Sequence, residues 1–454
     1  MLRGDFSAKR RGSRLAEPAS SLPPDTKICT LGAWHLGAVT SACLAAFGYN
    51  ILAFDPDKDR VANLNRGVPP LFEPGLAELL AENLAAGRLR YTSDLKAAVK
   101  GAAYLLLTFD TPVDEQDEVD LGEIYSTCER LAPHMAQGAT LVVSSQVPVG
   151  TCEELAAAIR NANPQAAFGI AYVPENLRLG QAIQRFQHPD MLVIGADSPA
   201  TAERVERLLS AVEAPKPRVS LRTAEMTKHA INAFLATSIS FINEIANLCE
   251  RAGADAVEVG EALRLDQRIG PRAALRPGLG FAGGTLARDL KALMRLAGRS
   301  NYEAPLLRGV LAVNDRQNAM VLEKLRQVHG SLEGLTVGVL GLTYKAGTSA
   351  VRRSVAMEIV AALLSEGAKV KAFDPKVVVE ELPSDLPFES ARDAYEATAG
   401  SDALLILTDW PEFRALDFDT IRQSMRRSVL LDANNILDPD QITKMGFLYC
   451  GMGR

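Results

Sequence analysis

The 454-residue chain is poor in the residues that mark disulfide scaffolds and metal centres. Its six cysteines (Cys29, Cys43, Cys128, Cys152, Cys249 and Cys450) are scattered, with no CxxC pair, and its five histidines form no HxH or HxxxH pattern. A zinc site or a stapled small domain needs closely spaced ligands or partners, so the thiols read as reduced and mostly buried, and no metal is expected. No apolar run approaches the roughly 20 residues of a membrane-spanning helix. Residues 1–26 carry Arg3, Lys9, Arg10, Arg11 and Arg14 ahead of Pro23-Pro24 and lack the apolar core of a secretory signal. Positive charge is not in excess either; the net charge of −6 argues against a surface built for nucleic acid. The expectation is a cytoplasmic protein without membrane or nucleic-acid partners. Residues 1–26 read as a disordered tail, with a weak anion-binding arm as the sharper alternative.

What is present is ordinary globular composition, 47% hydrophobic and 23% charged, in a chain long enough for two or three cores. A strand at Lys27–Leu31, a glycine-containing turn, an alanine-rich helix from Ala38 to Phe47 and a strand at Asn50–Phe54 make a βαβ opening. Strand-like runs recur at Tyr104–Thr108, Thr140–Ser144, Phe168–Val173 and Met191–Ile194, with helices such as Gly75–Leu84 and Cys152–Arg160 between them. Alternation of this kind predicts an α/β fold on a parallel, doubly wound sheet. From Ala224 to Arg251 the pattern becomes one helix free of glycine and proline, with apolar residues at Ile231, Leu235, Ile239, Ile242, Ala246 and Cys249. Such a helix serves as a spine or a dimer interface, and more helix follows to about Asn318. A second α/β unit opens with a strand at Thr336–Leu340, a helix around Val355–Glu366 and a strand ending Ala372-Phe373-Asp374-Pro375. The first unit ends its second strand with the same four letters, Ala53-Phe54-Asp55-Pro56, so the two units read as a degenerate internal repeat. The second copy lacks the phosphate-loop glycine spacing.

Gly32-Ala33-Trp34-His35-Leu36-Gly37 follows the first strand and opens a helix, and Asp55 lies about 20 residues on, at the end of the second strand. This is the context of a dinucleotide site: a tight turn, a helix N-terminus under the pyrophosphate and an acid for the ribose hydroxyls. The acid favours NAD over NADP, whose 2′-phosphate it would repel. Trp34 stands where a middle glycine lets the backbone approach the pyrophosphate; the other reading of the loop is a plain strand–helix turn that has lost its cofactor. The cofactor-binding set is Gly32, Trp34, His35, Leu36, Gly37, Asp55, Arg60 and Thr111.

Further segments follow in order: Asp55-Pro-Asp with Leu64-Asn65, Glu73-Pro74-Gly75-Leu76, Thr111-Pro112, Val147-Pro148-Val149-Gly150-Thr151 and Pro174-Glu175-Asn176-Leu177-Arg178. Then come Lys228 and Asn232, Asp266-Gln267-Arg268-Ile269-Gly270, Pro277-Gly278 through Asp289, Gly341-Leu-Thr-Tyr-Lys345, Arg352 and Thr408-Asp409-Trp410. Together they resemble the UDP-glucose/GDP-mannose dehydrogenase family over residues 27–454. The resemblance implies an NAD-binding Rossmann domain (27–220), a central helical dimerisation region containing the long helix (221–325) and a C-terminal Rossmann-like domain that grips the sugar nucleotide (326–454). It implies a homodimer, NAD as cofactor and a nucleotide-diphosphate sugar as substrate. The family reaction is two successive oxidations of a primary alcohol, in which a cysteine traps the aldehyde and water releases the acid.

Carried over residue by residue, the resemblance assigns Lys228 and Asn232, four apart on one helix face, to the developing alkoxide and to a positioned water. Asp289 helps to hold that water. Thr111 and Glu175 match residues of the hydrolytic step, although Glu175 equally fits a buried turn carboxylate. Arg268 resembles an arginine that reaches the substrate phosphates from the neighbouring subunit, and Lys345 and Arg352 resemble substrate-binding residues of the C-terminal domain. Cations suit a diphosphate. The substrate set is completed by Leu177, Arg178, Gly280, Phe281 and Gly284.

One departure bears on the mechanism. Where the family carries Ser-Cys before Xaa-Pro-Lys-Asp, this chain has Gly284-Thr285 before Leu286-Ala287-Arg288-Asp289, and Leu179 replaces an acid after Arg178. A thiol is partly ionised near neutral pH and strongly nucleophilic; a threonine hydroxyl is neither without a base. Preceding a helical run, Thr285 fits an N-cap better than a nucleophile. Without a trap the expected reaction is a two-electron oxidation of a secondary alcohol to a ketone. A keto-sugar nucleotide suits transamination in modified-sugar or antibiotic pathways, and a higher-carbon sugar would offer the secondary alcohol. Two readings stay open beside it: a four-electron 6-dehydrogenase, and a catalytically dead sugar-nucleotide-binding subunit.

Overall fold

The computed structural model describes residues 22–23, 25–114, 118–175, 177–282, 284–379 and 382–454. The tail expected over residues 1–26 therefore falls largely outside the described residues, as do Asn176 and Gly283. One compact unit ends at Met226 and a second begins at Thr227.

The first unit is built on strands β1 (Lys27–Leu31), β2 (Asn50–Phe54), β3 (Leu89–Thr92), β4 (Tyr104–Leu107), β5 (Ala139–Val143), β6 (Phe168–Tyr172), β7 (Ile194–Ala196) and β8 (Arg218–Val219), in the order β3-β2-β1-β4-β5-β6-β7-β8. Pairing is parallel throughout except between β6 and β7. The central strands are apolar on both faces because helices cover both. Ile28, Tyr104 and Leu106 enter one hydrophobic core, while their neighbours Cys29, Leu31, Leu105 and Leu107 enter the other, as the two-residue alternation of a strand requires. The strand expected at Met191–Ile194 is displaced to Ile194–Ala196. Leu192 and Ile194 donate their N–H groups to the carbonyls of Pro215 and Pro217, and pairing with β6 begins only at Gly195.

In the second unit the sheet consists of β9 (Thr336–Leu340), β10 (Lys369–Phe373), β11 (Glu389–Ser390), β12 (Ala403–Ile406), β13 (Val429–Asp432) and β14 (Leu448–Gly451), all parallel, in the order β11-β10-β9-β12-β13-β14. That is the order of the first six strands of the other sheet. The two Ala-Phe-Asp-Pro strings end β2 and β10, the equivalent second strands.

The long helix runs Leu221–Ala252, 32 residues or roughly 48 Å. Its buried row is more polar than the apolar pattern suggests. Ile231, Leu235 and Ile239 are half-buried, whereas Lys228, His229, Asn232, Ser240 and Asn243 are buried. Beyond it come helices Ala256–Leu265, Leu286–Arg299 and Pro305–His329. The helix expected to continue to Asn318 is interrupted over residues 266–285, where Pro271, Pro277 and five glycines prevent it.

Candidate functional site

In the first unit the turn after β1 is closed by two glycines. Gly32 has φ +93°, and a Cβ there would lie 2.9 Å from the Phe109 backbone; a Cβ on Gly37 would lie 1.8 Å from the Gly32 carbonyl. The turn therefore presents the N-terminus of helix His35–Ala46 with the backbone drawn in tightly, the shape a pyrophosphate needs. Asp55 is buried at the end of β2. One of its oxygens accepts the Ala33 N–H (2.7 Å), and the other accepts the Asp57 N–H (3.0 Å) and an Arg60 guanidinium N–H (2.7 Å). Trp34 does not fill the turn. Its ring, 40% exposed, lies against the Arg60 guanidinium, 4.9 Å from ring centroid to Cζ. The feature that argued against a cofactor is thus turned aside, and the turn fits a dinucleotide.

His35 contacts Glu73 (3.1 Å), a buried carboxylate that also accepts the N–H groups of Gly180 and Ala182. Glu73 thereby ties the phosphate turn to the loop after β6. Leu36 is buried, and so is Thr111 in the loop after β4. Glu175 is half-buried and accepts the Leu177 N–H (2.7 Å), the hydrogen-bonded turn geometry that was one of its two readings; Leu177 packs on the core and Arg178 is exposed. Glu225, fully buried on the long helix, accepts the N–H groups of Gly150 (2.6 Å) and Cys152 (2.8 Å) at the start of helix Thr151–Ala162. A carboxylate at a helix N-terminus is favourable.

The second unit carries the other cluster. Asp289, 1% exposed in the first turn of helix Leu286–Arg299, receives the Asn232 side-chain amide on one oxygen and His229 Nδ1 on the other at 3.0 Å. Lys228, 5% exposed, adjoins them on the long helix. Of the residues singled out in the sequence, Asn232 and Asp289 are thus in contact, and Lys228 lies one turn before Asn232 on the same helix. His229 was not singled out; its signal is a histidine three residues from Asn232, on the same helix face.

Loop 277–281 is held by side-chain amides of two helices. Asn243 accepts the Gly278 N–H (3.0 Å) and donates to the Leu279 carbonyl; Gln317 donates to the Gly278 carbonyl (2.7 Å). Asn318 accepts the Gly280 N–H and Asn314 the Phe281 N–H (2.7 Å). A Cβ on Gly280 would lie 2.6 Å from Asn314 Oδ1, so this close clamp depends on glycine. These amides were missed as well, although Asn314, Gln317 and Asn318 recur at helical spacing. Phe281 is buried against Ala233, Ala236 and Leu290, whereas a Cβ on Gly284 would meet open space. Thr285 sits at the N-cap position of helix Leu286–Arg299, but its side chain makes no capping hydrogen bond. Its position is that of a cap and its hydroxyl does not act as one: at φ −120° and ψ −54° it departs from the extended backbone that capping requires.

Arg268 is exposed and paired with Asp266 of its own loop (2.6 Å). Lys345 is half-buried beside the Tyr344 ring, and Arg352, exposed, lines a cavity of about 540 Å³ together with Ser354, Met357 and Glu358. Loop 277–285 contains no cysteine, and burial pushes the thiols of Cys29, Cys43, Cys128 and Cys152 far above their usual range, Cys128 to about 12. Among the described residues no group of histidine, cysteine and acidic side chains could hold a metal, and no helix is long and apolar enough to cross a membrane.

The chain matches three models of one family in succession: the UDP-glucose/GDP-mannose dehydrogenase NAD binding domain (residues 26–213), central domain (222–316) and UDP binding domain (338–439). It is 40% identical over 436 residues to a UDP-glucose 6-dehydrogenase of Rhizobium meliloti, covering 94% of this chain and 99% of that one. It is 35% identical to UDP-glucose 6-dehydrogenase TuaD of Bacillus subtilis over 94% and 93% of the two chains. The UDP-glucose dehydrogenase structure from Pyrobaculum islandicum superposes with a TM-score of 0.86 at 31% identity, over 94% of this chain and 98% of that one. The chain therefore belongs to the UDP-glucose/GDP-mannose dehydrogenase family. It is an NAD-dependent nucleotide-sugar dehydrogenase, with NAD as its cofactor.

Proposed function

We propose that the protein carries out one two-electron oxidation per turnover, converting a secondary alcohol of a nucleotide-diphosphate sugar to a ketone. The observation that carries this reading is Thr285. It begins the helix of Asp289, makes no capping bond, and no cysteine replaces it in its loop. A thioester route has no nucleophile here, while Lys228, Asn232 and Asp289 remain for a single hydride transfer. In this reading Gly32, Trp34, His35, Leu36, Gly37, Asp55, Arg60 and Thr111 hold NAD, which accepts the hydride. Lys228 stabilises the charge developing on the substrate oxygen, and Asn232 orients it from the same helix face. Arg268, Lys345 and Arg352 bind the diphosphate, and Glu175, Leu177, Arg178, Gly280, Phe281 and Gly284 shape the sugar pocket.

The working form is a homodimer. Phe234, Phe241 and Leu248 stand exposed along one row of the long helix, and Leu265 and Leu306 add to the exposed apolar surface of the central region. Arg268, which leans out from its own chain, then reaches a neighbour's site. Six free cysteines suit a reducing compartment, the cytoplasm. The product, a keto-sugar nucleotide, is what a transaminase consumes in making modified or antibiotic sugars.

The names of the relatives favour a second reading, a four-electron UDP-glucose 6-dehydrogenase forming a uronic acid. The two part on stoichiometry. NADH is followed at 340 nm with a panel of UDP- and GDP-linked sugars, and the product is weighed by mass spectrometry. One NADH and a loss of two hydrogens supports the ketone; two NADH and a carboxylate overturns it. Binding of a sugar nucleotide without binding of NAD, read by calorimetry, would point to a catalytically dead binding subunit.

A further inference from the structure

We propose that Trp34 is the residue on which the adenine of NAD stacks, with Arg60 holding its ring in place. The inference rests on the reading that the turn after β1 holds NAD, and it assigns one half of the dinucleotide to one side chain. Packing does not explain a tryptophan here, since its ring enters neither hydrophobic core of the first unit. The helix does not need it either. Trp34 is the N-cap residue of helix His35–Ala46 and makes no side-chain capping bond, at a position that serine, threonine, asparagine or aspartate fills better. Exposure of a single aromatic ring says little by itself; what counts is how this ring is fixed and where it stands.

Fixation comes from charge. The Arg60 guanidinium lies over the Trp34 ring and is itself held by Asp55 (2.7 Å) and Asp57 (3.3 Å). Asp57 in turn caps helix Lys58–Leu64 by accepting the N–H groups of Asp59 and Arg60. A ring held in this way before the ligand arrives loses little freedom on binding. Its place selects the ligand group. Asp55 is the carboxylate placed for the ribose hydroxyls, and one of its oxygens receives only the Ala33 N–H. In NAD the adenine is bonded directly to that ribose, so a ring that shares Arg60 with Asp55 stands on the adenosine side of the pyrophosphate. The nicotinamide lies beyond the pyrophosphate and a second ribose. A phosphate gains nothing from the face of an indole, which is the negative side of its quadrupole. A purine presents a flat π-face and stacks on aromatic rings whatever its edge carries. Gly32 and Gly37 still draw the backbone in, so the tryptophan adds a surface for the base while the helix N-terminus remains for the pyrophosphate.

The test reads binding in the full chain and needs no sugar substrate. Calorimetry compares NAD, ADP-ribose and nicotinamide mononucleotide on the wild type, Trp34→Leu, Trp34→Phe and Asp55→Ala. Trp34→Leu keeps an apolar side chain and loses the aromatic face. Its affinity for NAD and for ADP-ribose is expected to fall about tenfold or more, the range that stacking of one base supplies. Trp34→Phe, with a smaller ring, is expected to lose about threefold. Nicotinamide mononucleotide should respond to neither change, a contrast that a merely structural role for Trp34 would not produce. Emission spectra give a second readout. ADP-ribose should alter the Trp34 signal as NAD does, and nicotinamide mononucleotide should not; Trp34→Phe identifies the signal, because Trp410 then remains alone. Unchanged NAD affinity in Trp34→Leu beside a loss in Asp55→Ala overturns the stacking and leaves the cofactor turn standing. Unchanged affinity in both variants is instead a failure of the reading that this turn holds NAD. A Trp34 signal that nicotinamide mononucleotide reproduces also overturns the proposal, and this arm decides on the wild type alone should Trp34→Leu fail to fold.

Discussion

The two sheets share one strand order and one first turn, yet they use the aspartate at the end of the second strand differently. In both, the glycine after the first strand has positive φ (Gly32 +93°, Gly341 +96°) and donates its N–H to the last carbonyl of the neighbouring strand, Phe54 or Phe373. A threonine after the fourth strand, Thr108 or Thr408, bonds to the turn from the other side. Asp55 then meets a single N–H of the turn, the N–H of Asp57 and an arginine that is part-exposed. Asp374 is filled: the N–H groups of Leu342 and Thr343, the Thr343 hydroxyl and the Trp410 indole all reach one oxygen, and Lys376 and Val377 N–H reach the other. The carboxylate that could serve a ribose in the first unit is a closed structural hub in the second. The fold repeat is retained while the ligand chemistry is not.

Breaking the hub should have the largest effect on stability. Asp374→Ala leaves several buried donors without acceptors and is expected to cost about 3 kcal/mol or more, read as a lower urea midpoint for the second unit. Asp55→Ala should destabilise less, about 1–3 kcal/mol, but weaken NAD about tenfold or more by calorimetry. Equal NAD loss in the Asp374 variant would erase the distinction. The tryptophans sharpen the same contrast. Trp34 is exposed on the cofactor turn and Trp410 buried in the hub, so NAD should change the emission of the former, and Trp34→Phe should abolish the change. The smallest effects compare two helix starts. Ser198 accepts the Thr201 N–H at the head of helix Pro199–Leu208, so Ser198→Ala should cost about 1 kcal/mol. Thr285 caps nothing, so Thr285→Ala and Thr285→Cys should each stay within about 0.5 kcal/mol of the wild type in urea.

The sequence made the sheet legible because parallel strands buried on both faces read as apolar runs, and the repeated Ala-Phe-Asp-Pro marked equivalent strands. Lys228, Asn232 and Asp289 were legible through motif spacing, and the structure brings Asn232 against Asp289. What could not be read was polar burial. Hydrophobic periodicity drew attention to Ile231, Leu235 and Ile239, but the buried side of the long helix also includes Lys228, His229, Asn232 and Asn243, and the partners of the last three lie far along the chain. A polar side chain becomes buried only when a distant donor or acceptor matches it, and periodicity carries no record of that partner. The role of Thr285 was half legible: the helix start was there to be read, the missing bond was not.

The amide clamp on loop 277–281 has a consequence for affinity. Gly278, Gly280 and Phe281 give their N–H groups to side chains of helices that fold with the unit, so the loop loses its conformational freedom when the chain folds. A loop ordered only on binding would subtract that entropy from every encounter with substrate. Here the ordering is independent of ligand, and this part of the candidate site is preorganised; its amide hydrogens should exchange slowly in the free protein and little more slowly in the bound one.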